Sequence, residues 1–316
     1  MRVVVFGAGA VGSLFGAYLD RAGHSVLLIG TPEHVTAVRA NGLRVTGRLE
    51  GTFRVDAAAE LRPGPAPDAV LLTVKTFDLE RAATALGRAV RPGTPILLPQ
   101  NGLGVEEVAR RRLAAEGWTE PEGSLVRAVN SVPATWVGPG EVRAAGDGEV
   151  LLPEARGSAA EAVARFDQLL RDAGIRVRAV ESIEREVWRK AVVNAAINPV
   201  TAVHGVVNGR LLDAPYRAEA EELLLEAART ARAAGVDVTD AEARADLDRI
   251  VRATAENRSS MLQDLERGRP TEVDAISGEI LRAARLHGID LPRTEAAIAS
   301  VRARTEGATG TRAERS

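Results

Sequence analysis

The chain contains no cysteine, which removes disulfides, thiolate metal centres and cysteine nucleophiles at once. Its four histidines, His24, His34, His204 and His287, are scattered, so no metal site is expected. No run of the sequence approaches the roughly 18 apolar residues of a membrane span, and a membrane is not an expected partner. Charge of one sign is lacking too. Lys and Arg number 41 against 43 Asp and Glu, a formal charge of −2, and no extended basic field is available to hold a phosphate backbone. Nucleic acid is therefore not expected as a partner. The chain enters a strand-like run within its first residues, leaving no basic segment followed by an apolar stretch, and the expected location is the cytoplasm.

What remains is the composition of a soluble globular protein: 316 residues, 45% hydrophobic and 27% charged. That length suits two domains, each with its own core. Strand-like runs at 2–6, 24–29, 69–74, 95–98, 125–130 and 175–180 alternate with helix-like runs. Such alternation predicts βαβ units and a mainly parallel sheet covered on both faces. Segments 43–55 and 140–152, the latter with turn residues Gly146-Asp147-Gly148, read as antiparallel hairpins added to that sheet. From Glu181 onward the pattern is helical, over 215–234, 240–257, 272–287 and 293–304. Gly235, Gly268 and Gly288 stand where left-handed caps are wanted, and Pro292 opens the last helix. The expected organisation is an α/β domain over 1–180, an all-helical substrate and dimerisation domain over 181–305, and a flexible tail over 306–316.

Gly7-Ala8-Gly9-Ala10-Val11-Gly12 follows an apolar strand and opens a helix. In that context Gly7 permits a tight turn, Gly9 lets backbone approach a pyrophosphate, and Gly12 allows close helix–strand packing, while the helix N-terminus attracts the anion. A plain glycine-rich turn is the alternative. After the second strand the chain reads Ile29-Gly30-Thr31-Pro32-Glu33, with neither the immediate acid that binds the ribose hydroxyls of NAD nor an arginine for the extra phosphate of NADP. Lys75 ends another strand on the rim where parallel sheets bind ligands, as a phosphate contact or as an ordinary solvated lysine.

In the second half, Lys190, Asn194 and Asn198 lie i, i+4, i+8 in an apolar helical run ending near Pro199. With about 3.6 residues per turn they share one face, drifting about 40° at each step. Two asparagines among Ala, Val and Ile are costly to bury without hydrogen bonds. A ligand, neighbouring backbone or solvent could satisfy them. A second polar cluster runs from Glu256 through Asn257, Ser259 and Ser260 to Asp264, with Glu272 after it, and by itself it reads as capping and surface charge.

Together these segments resemble the ketopantoate reductase (2-dehydropantoate 2-reductase) family over nearly the whole chain, to about residue 305. The resemblance is carried by Gly7 to Gly12, Lys75, Gln100-Asn101-Gly102-Leu103-Gly104, the run Trp188 to Pro199, Asn208-Gly209, Asn257 to Asp264, and Thr271-Glu272-Val273-Asp274. It implies an N-terminal Rossmann domain and an all-α C-terminal domain of the 6-phosphogluconate dehydrogenase C-terminal-like type, with the active site in a cleft between them. It implies NADPH-dependent reduction of 2-dehydropantoate to (R)-pantoate, a step toward pantothenate and coenzyme A, with Lys190 and Glu272 catalytic and Lys190, Asn101, Asn194, Asn198, Asn208, Asn257 and Ser260 lining the substrate site. Cofactor contacts are implied for Gly7, Ala8, Gly9, Ala10, Val11, Gly12, Thr31, Lys75, Asn101, Ala134 and Glu272, and no metal. Two departures stand out: Thr31 replaces an arginine frequent in NADPH-using relatives, which keeps NAD open and leaves Lys75 or Arg39 for the 2′-phosphate, and Arg210 replaces a frequent acid. A reductase of a different 2-oxo acid and a non-catalytic NADP sensor are the rival readings. Alanine-rich helical faces suit either a homodimer or packing within one chain.

Overall fold

The computed structural model describes residues 1–119 and 123–313, with side chains described as far as 306. It divides into two compact units, one of Met1–Gln100 and Gly104–Ile183, the other of Asn101–Leu103 and Glu184–Ser316.

The first unit runs β1 (Arg2–Phe6), α1 (Ala10–Arg21), β2 (Ser25–Ile29), α2 (Pro32–Asn41), β3 (Leu43–Gly47), β4 (Gly51–Phe53), β5 (Asp56–Ala58), β6 (Ala69–Leu72), α3 (Leu79–Ala89), β7 (Ile96–Leu98), α4 (Val105–Ala115), β8 (Leu125–Arg127), β9 (Val129–Asn130), β10 (Ala134–Gly138), β11 (Glu141–Ala144), β12 (Glu149–Pro153), α5 (Ala160–Asp172) and β13 (Arg176–Val180). Six strands form one sheet in the order β5-β2-β1-β6-β7-β8, and every pairing in it is parallel. This is the doubly wound order whose chain reverses direction across the sheet beside β1.

Alternate residues of these strands belong to different cores, as a sheet buried on both faces requires. Val3, Val5 and Leu71 join the cluster containing Phe15 and Phe166 of α1 and α5. Val4, Val70 and Leu72 join that of Leu86 and Leu113 on α3 and α4.

The 43–55 segment pairs as an antiparallel hairpin, but within a separate four-stranded sheet, β10-β11-β3-β4. The 140–152 hairpin does not form. β11 pairs with β10 and β3, while β12 pairs with β9 and β13 in a third sheet. Two contacts explain this. The tight turn is at Gly140, with φ +77°, and β12 is drawn to the neighbouring segment by reciprocal bonds between Ser131 and Glu149, with Ser131 N–H donating to Glu149 O at 2.9 Å and Glu149 N–H to Ser131 Oγ at 3.0 Å.

The second unit is helical: α6 (Ile183–His204), α7 (Tyr216–Ala233), α8 (Asp240–Ala253), α9 (Ser260–Glu266), a π-helical turn at Asp274–Gly278, α10 (Glu279–Leu286) and α11 (Pro292–Ala313). α8 opens on a Thr239–Glu242 capping box. Helix α6 passes through Pro199 rather than ending there. Thr201 Oγ1 donates to the carbonyls of Ile197 at 2.7 Å and Asn198 at 3.1 Å, which partners main-chain oxygens in the turn that proline perturbs. Of the segment 306–316 expected as a flexible tail, the residues as far as Ala313 belong to α11. Residues 306–313 hold no proline, and each glycine costs a helix only about 1 kcal/mol. Residues 314–316 of the expected tail lie outside the described residues.

Candidate active site

In the first unit the Gly7 to Gly12 turn is built for close backbone approach. Gly7 has φ +115°, and a Cβ there would lie 2.4 Å from Val74 N. A Cβ on Gly12 would lie 2.2 Å from Gly7 O and 2.5 Å from Thr73 Oγ1, so helix α1 rests directly on β1 and the end of β6. Thr73 Oγ1 donates to Gly7 O at 2.9 Å, and Ala8 N–H donates to Ile29 O at 2.8 Å, tying the turn to strands on both sides. Gly9 is different, because a Cβ there meets nothing within 4 Å. Gly9 caps α1 without a side-chain bond, and the first helical bond runs from Ser13 N–H to Gly9 O at 2.9 Å. The N–H groups of Ala10, Val11 and Gly12 therefore face out of the helix N-terminus. Open space beside Gly9 and free donors at a helix start fit a dinucleotide pyrophosphate.

Around this turn, Lys75 is half-buried and leads the 3-10 turn Thr76–Asp78. Thr31 is the exposed N-cap of α2. Arg39 is turned elsewhere, its Nε donating to Ala57 O at 2.8 Å. Ala134 is half-buried at the start of β10.

One titratable group of this unit is sealed inside. His34 of α2 is 1% exposed and lies 4.7 Å from the Trp136 ring. Gly140 N–H donates to its Nδ1 at 2.9 Å, so Nε2 carries the proton that faces Ser13 Oγ at 3.1 Å. Burial holds the imidazole down to about 4 and hence neutral.

In the second unit, Lys190, Asn194 and Asn198 lie along α6. Lys190 and Asn194 are half-buried and Asn198 is 5% exposed. Neither the Asn194 nor the Asn198 side-chain amide hydrogen-bonds to any described residue. Thr201 Oγ1 donates to Ser259 Oγ at 2.7 Å, and Ser259 caps α9 by accepting from Leu262 N–H. That link brings the Asn198 turn of α6 to the start of α9, where Ser260 stands exposed. Asn208 N–H donates to Asn257 O at 2.9 Å and Asn208 Nδ2 to Thr254 Oγ1 at 3.0 Å, while Asn208 Oδ1 is buried without a partner.

Glu272 is 7% exposed, two residues before the π-helical turn, a local form frequent at functional sites. The Asn101–Leu103 excursion packs on that turn. Leu103 N–H donates to Ala275 O at 3.3 Å, and Gly102, at φ +85°, approaches so closely that a Cβ would lie 2.3 Å from the same oxygen. Asn101 is thus brought to the Glu272 end of the helical unit.

Sequence reasoning missed Thr73 and Thr201 as supports, whereas the capping expected of the Glu256–Asp264 cluster is what Ser259 does. A lone hydroxyl residue in an apolar strand or helix was the available signal, but its partner lies far away in the chain. Among the described residues no group of three His, Cys, Asp or Glu could hold a metal ion, and no helix is long and apolar enough to cross a membrane.

A doubly wound parallel sheet with a glycine-rich turn at the start of α1, in one chain with a helical unit that presents a lysine and two asparagine side chains without hydrogen bonds to described residues, defines an NAD(P)-dependent oxidoreductase. The ketopantoate reductase PanE/ApbA family model matches residues 3–157, and the ketopantoate reductase PanE/ApbA C terminal model matches residues 182–305. The chain belongs to the ketopantoate reductase family. It is 36% identical over 290 residues to the 2-dehydropantoate 2-reductase of Archaeoglobus fulgidus, covering 92% of each chain. It is 36% identical over 297 residues to that of Halobacterium salinarum, covering 92% of this chain and 95% of the relative. The crystal structure of a PanE/ApbA family ketopantoate reductase from Ralstonia eutropha JMP134 matches with TM-score 0.87 at 31% identity, covering 98% of this chain and 99% of that one. A D-mandelate dehydrogenase with NADH and anilino(oxo)acetate matches with TM-score 0.90 at 24% identity, covering 98% and 99%, which is a likeness of fold.

Proposed function

We propose that the protein reduces 2-dehydropantoate to (R)-pantoate with NADPH, a step toward pantothenate and coenzyme A, with Lys190 as general acid. The observation that carries this reading is the α6 stripe: one ammonium and two amides at helical spacing, the amides without hydrogen-bond partners among the described residues. Side-chain amides with no protein partner are free to bond a ligand, and the carboxylate and hydroxyl of a 2-oxo acid substrate supply such partners.

A nicotinamide cofactor held at the Gly7 to Gly12 turn would supply the hydride for the ketone carbon. As charge develops on the ketone oxygen, the Lys190 ammonium stabilises it and donates a proton. Asn101, Asn194, Asn198, Asn208, Asn257 and Ser260 hold the substrate's polar groups without adding negative charge that would compete for the ammonium. Glu272 accepts from a substrate hydroxyl or orients Lys190. The Gly7 to Gly12 turn binds the pyrophosphate at the start of α1.

For the 2′-phosphate, the candidate cations are Lys75, on the rim beyond β6, and Arg39, whose Nε bonds Ala57 O. Steady-state kinetics on 2-dehydropantoate with NADPH and NADH in parallel test the reading. Turnover with NADPH preferred is expected. No 2-dehydropantoate-dependent oxidation of either cofactor would overturn it, and a panel of other 2-oxo acids would then identify a reductase of the same fold with a different substrate.

A further inference from the structure

We propose that Arg127 is a positioning residue for this reaction: its buried guanidinium fixes the main chain from Leu98 through Gln100 and so sets where Asn101 presents its amide. The inference rests on the reading of Asn101 as a contact of cofactor and substrate.

Arg127 ends β8 and is 8% exposed. Its Nη1 donates to Leu98 O at 2.6 Å and to Ala128 O at 2.9 Å, and its Nη2 donates to Gln100 O at 2.8 Å. These acceptors are main-chain carbonyls at the C-terminal ends of β7 and β8, the rim where an open parallel sheet binds its ligands. In the order β5-β2-β1-β6-β7-β8, these two strands lie on the opposite side of β1 from β2, hence in the half that does not carry the adenosine-side acid or arginine position.

Burying a cation here carries a desolvation cost that an apolar residue would not incur. Burial pushes Arg127 down to about 10 while the charge of Glu106 acts upward, so the group is still cationic at neutral pH. The position thus retains a charge that fastens the Leu98–Gln100 elbow at two carbonyls and ties it to Ala128 O at the end of β8. The side chain of Gln100 does not do that work: it is 8% exposed, and both of its amide atoms are buried without a partner. The main-chain oxygen of Gln100, held by Arg127, is what anchors the residue that precedes Asn101. A lysine cannot replace this arrangement, because one ammonium on a flexible stem cannot span carbonyls of two strands as a planar fork does.

The test combines hydrogen–deuterium exchange with kinetics on Arg127→Lys and Arg127→Met, each alone and with Asn101→Ala, well below the melting temperature of the least stable variant. Expected is exchange at residues 98–103 faster by about tenfold or more with β1 and β6 unchanged, kcat lower by about tenfold or more, and cofactor KM within about threefold. Asn101→Ala should cost clearly less in the Arg127→Lys background than alone, the coupling expected of residues that act through one another. Should Arg127→Met fail to fold, Arg127→Lys carries the measurement. Normal protection of 98–103 in Arg127→Lys, or kcat losses that simply multiply, would overturn the inference. Absence of 2-dehydropantoate turnover by the unmodified protein removes the substrate reading instead, and exchange together with the cofactor dissociation constant, read by fluorescence, still decides the role of Arg127.

Discussion

Lys190 follows Arg189, whose guanidinium holds Asp246 of α8 at 2.7 Å and Glu186 at 3.2 Å. Neighbouring residues on a helix point about 100° apart, so the ion pair that fastens one side of α6 to α8 leaves Lys190 on a different azimuth with Asn194 and Asn198. Lys190→Ala is expected to lower kcat by about 100-fold or more, with the dissociation constant of the reduced cofactor unchanged in a fluorescence titration. An unaltered kcat would remove Lys190 from the mechanism. His34 makes a prediction about stability. Its pKa in the folded protein, about 4, lies below the ordinary imidazole value of 6.5, so the neutral imidazole stabilises the fold in full above about pH 6.5. That contribution falls away as pH drops from there toward 4, because the unfolded chain takes up the proton first. The loss is on the order of 3 kcal/mol. Urea unfolding at pH 7.5 and pH 4.5 should show a decline that is smaller in His34→Gln, and equal declines would place the pH dependence elsewhere.

The strand–turn–helix at the N-terminus separates two kinds of glycine. At Gly12 a methyl group would collide with Gly7 O and Thr73 Oγ1, so Gly12→Ala should lower stability by about 1–3 kcal/mol along with cofactor affinity. At Gly9 the same methyl enters open space. Gly9→Ala should therefore leave the melting temperature nearly unchanged while weakening NADPH binding by about tenfold or more, read by calorimetric titration. Equal affinity of Gly9→Ala and the unmodified protein would mean that the pyrophosphate does not lie against Gly9. Helix α6 shows a related division within one element: Thr201 bonds its own turn and Ser259, while the side chain of Asn198 in the same turn makes no hydrogen bond to a described residue.

For the whole molecule, cofactor binding and unfolding are linked. A ligand at 100 times its dissociation constant raises stability by about 2.7 kcal/mol, so thermal unfolding with NADPH and NADH at equal concentration ranks the two without reference to any substrate. The larger rise is expected with NADPH, and Lys75→Ala should narrow the difference. A larger rise with NADH would reassign the cofactor.

The glycine turn, the strand–helix alternation, the end caps and the Lys190–Asn194–Asn198 stripe were legible in the sequence because each depends on spacing within one or two elements. Periodicities of 2 and 3.6 are local properties of the chain, and they determined the α/β half, the helical half and the face of α6. Which strand pairs with which is not local. Residues 140–152 carry a hairpin pattern, yet β11 and β12 enter different sheets because Gly140 and Ser131 offer better partners. Other features join residues distant in the chain: His34 with Gly140, Thr201 with Ser259, Arg127 with Leu98 and Gln100, and Leu103 with Ala275. Their bonds exist only once the core has closed and removed water from both partners, so tertiary structure alone decided them. The sequence by itself determined that a dinucleotide turn and a polar helical stripe would form; only folding decided which buried groups hold them in place.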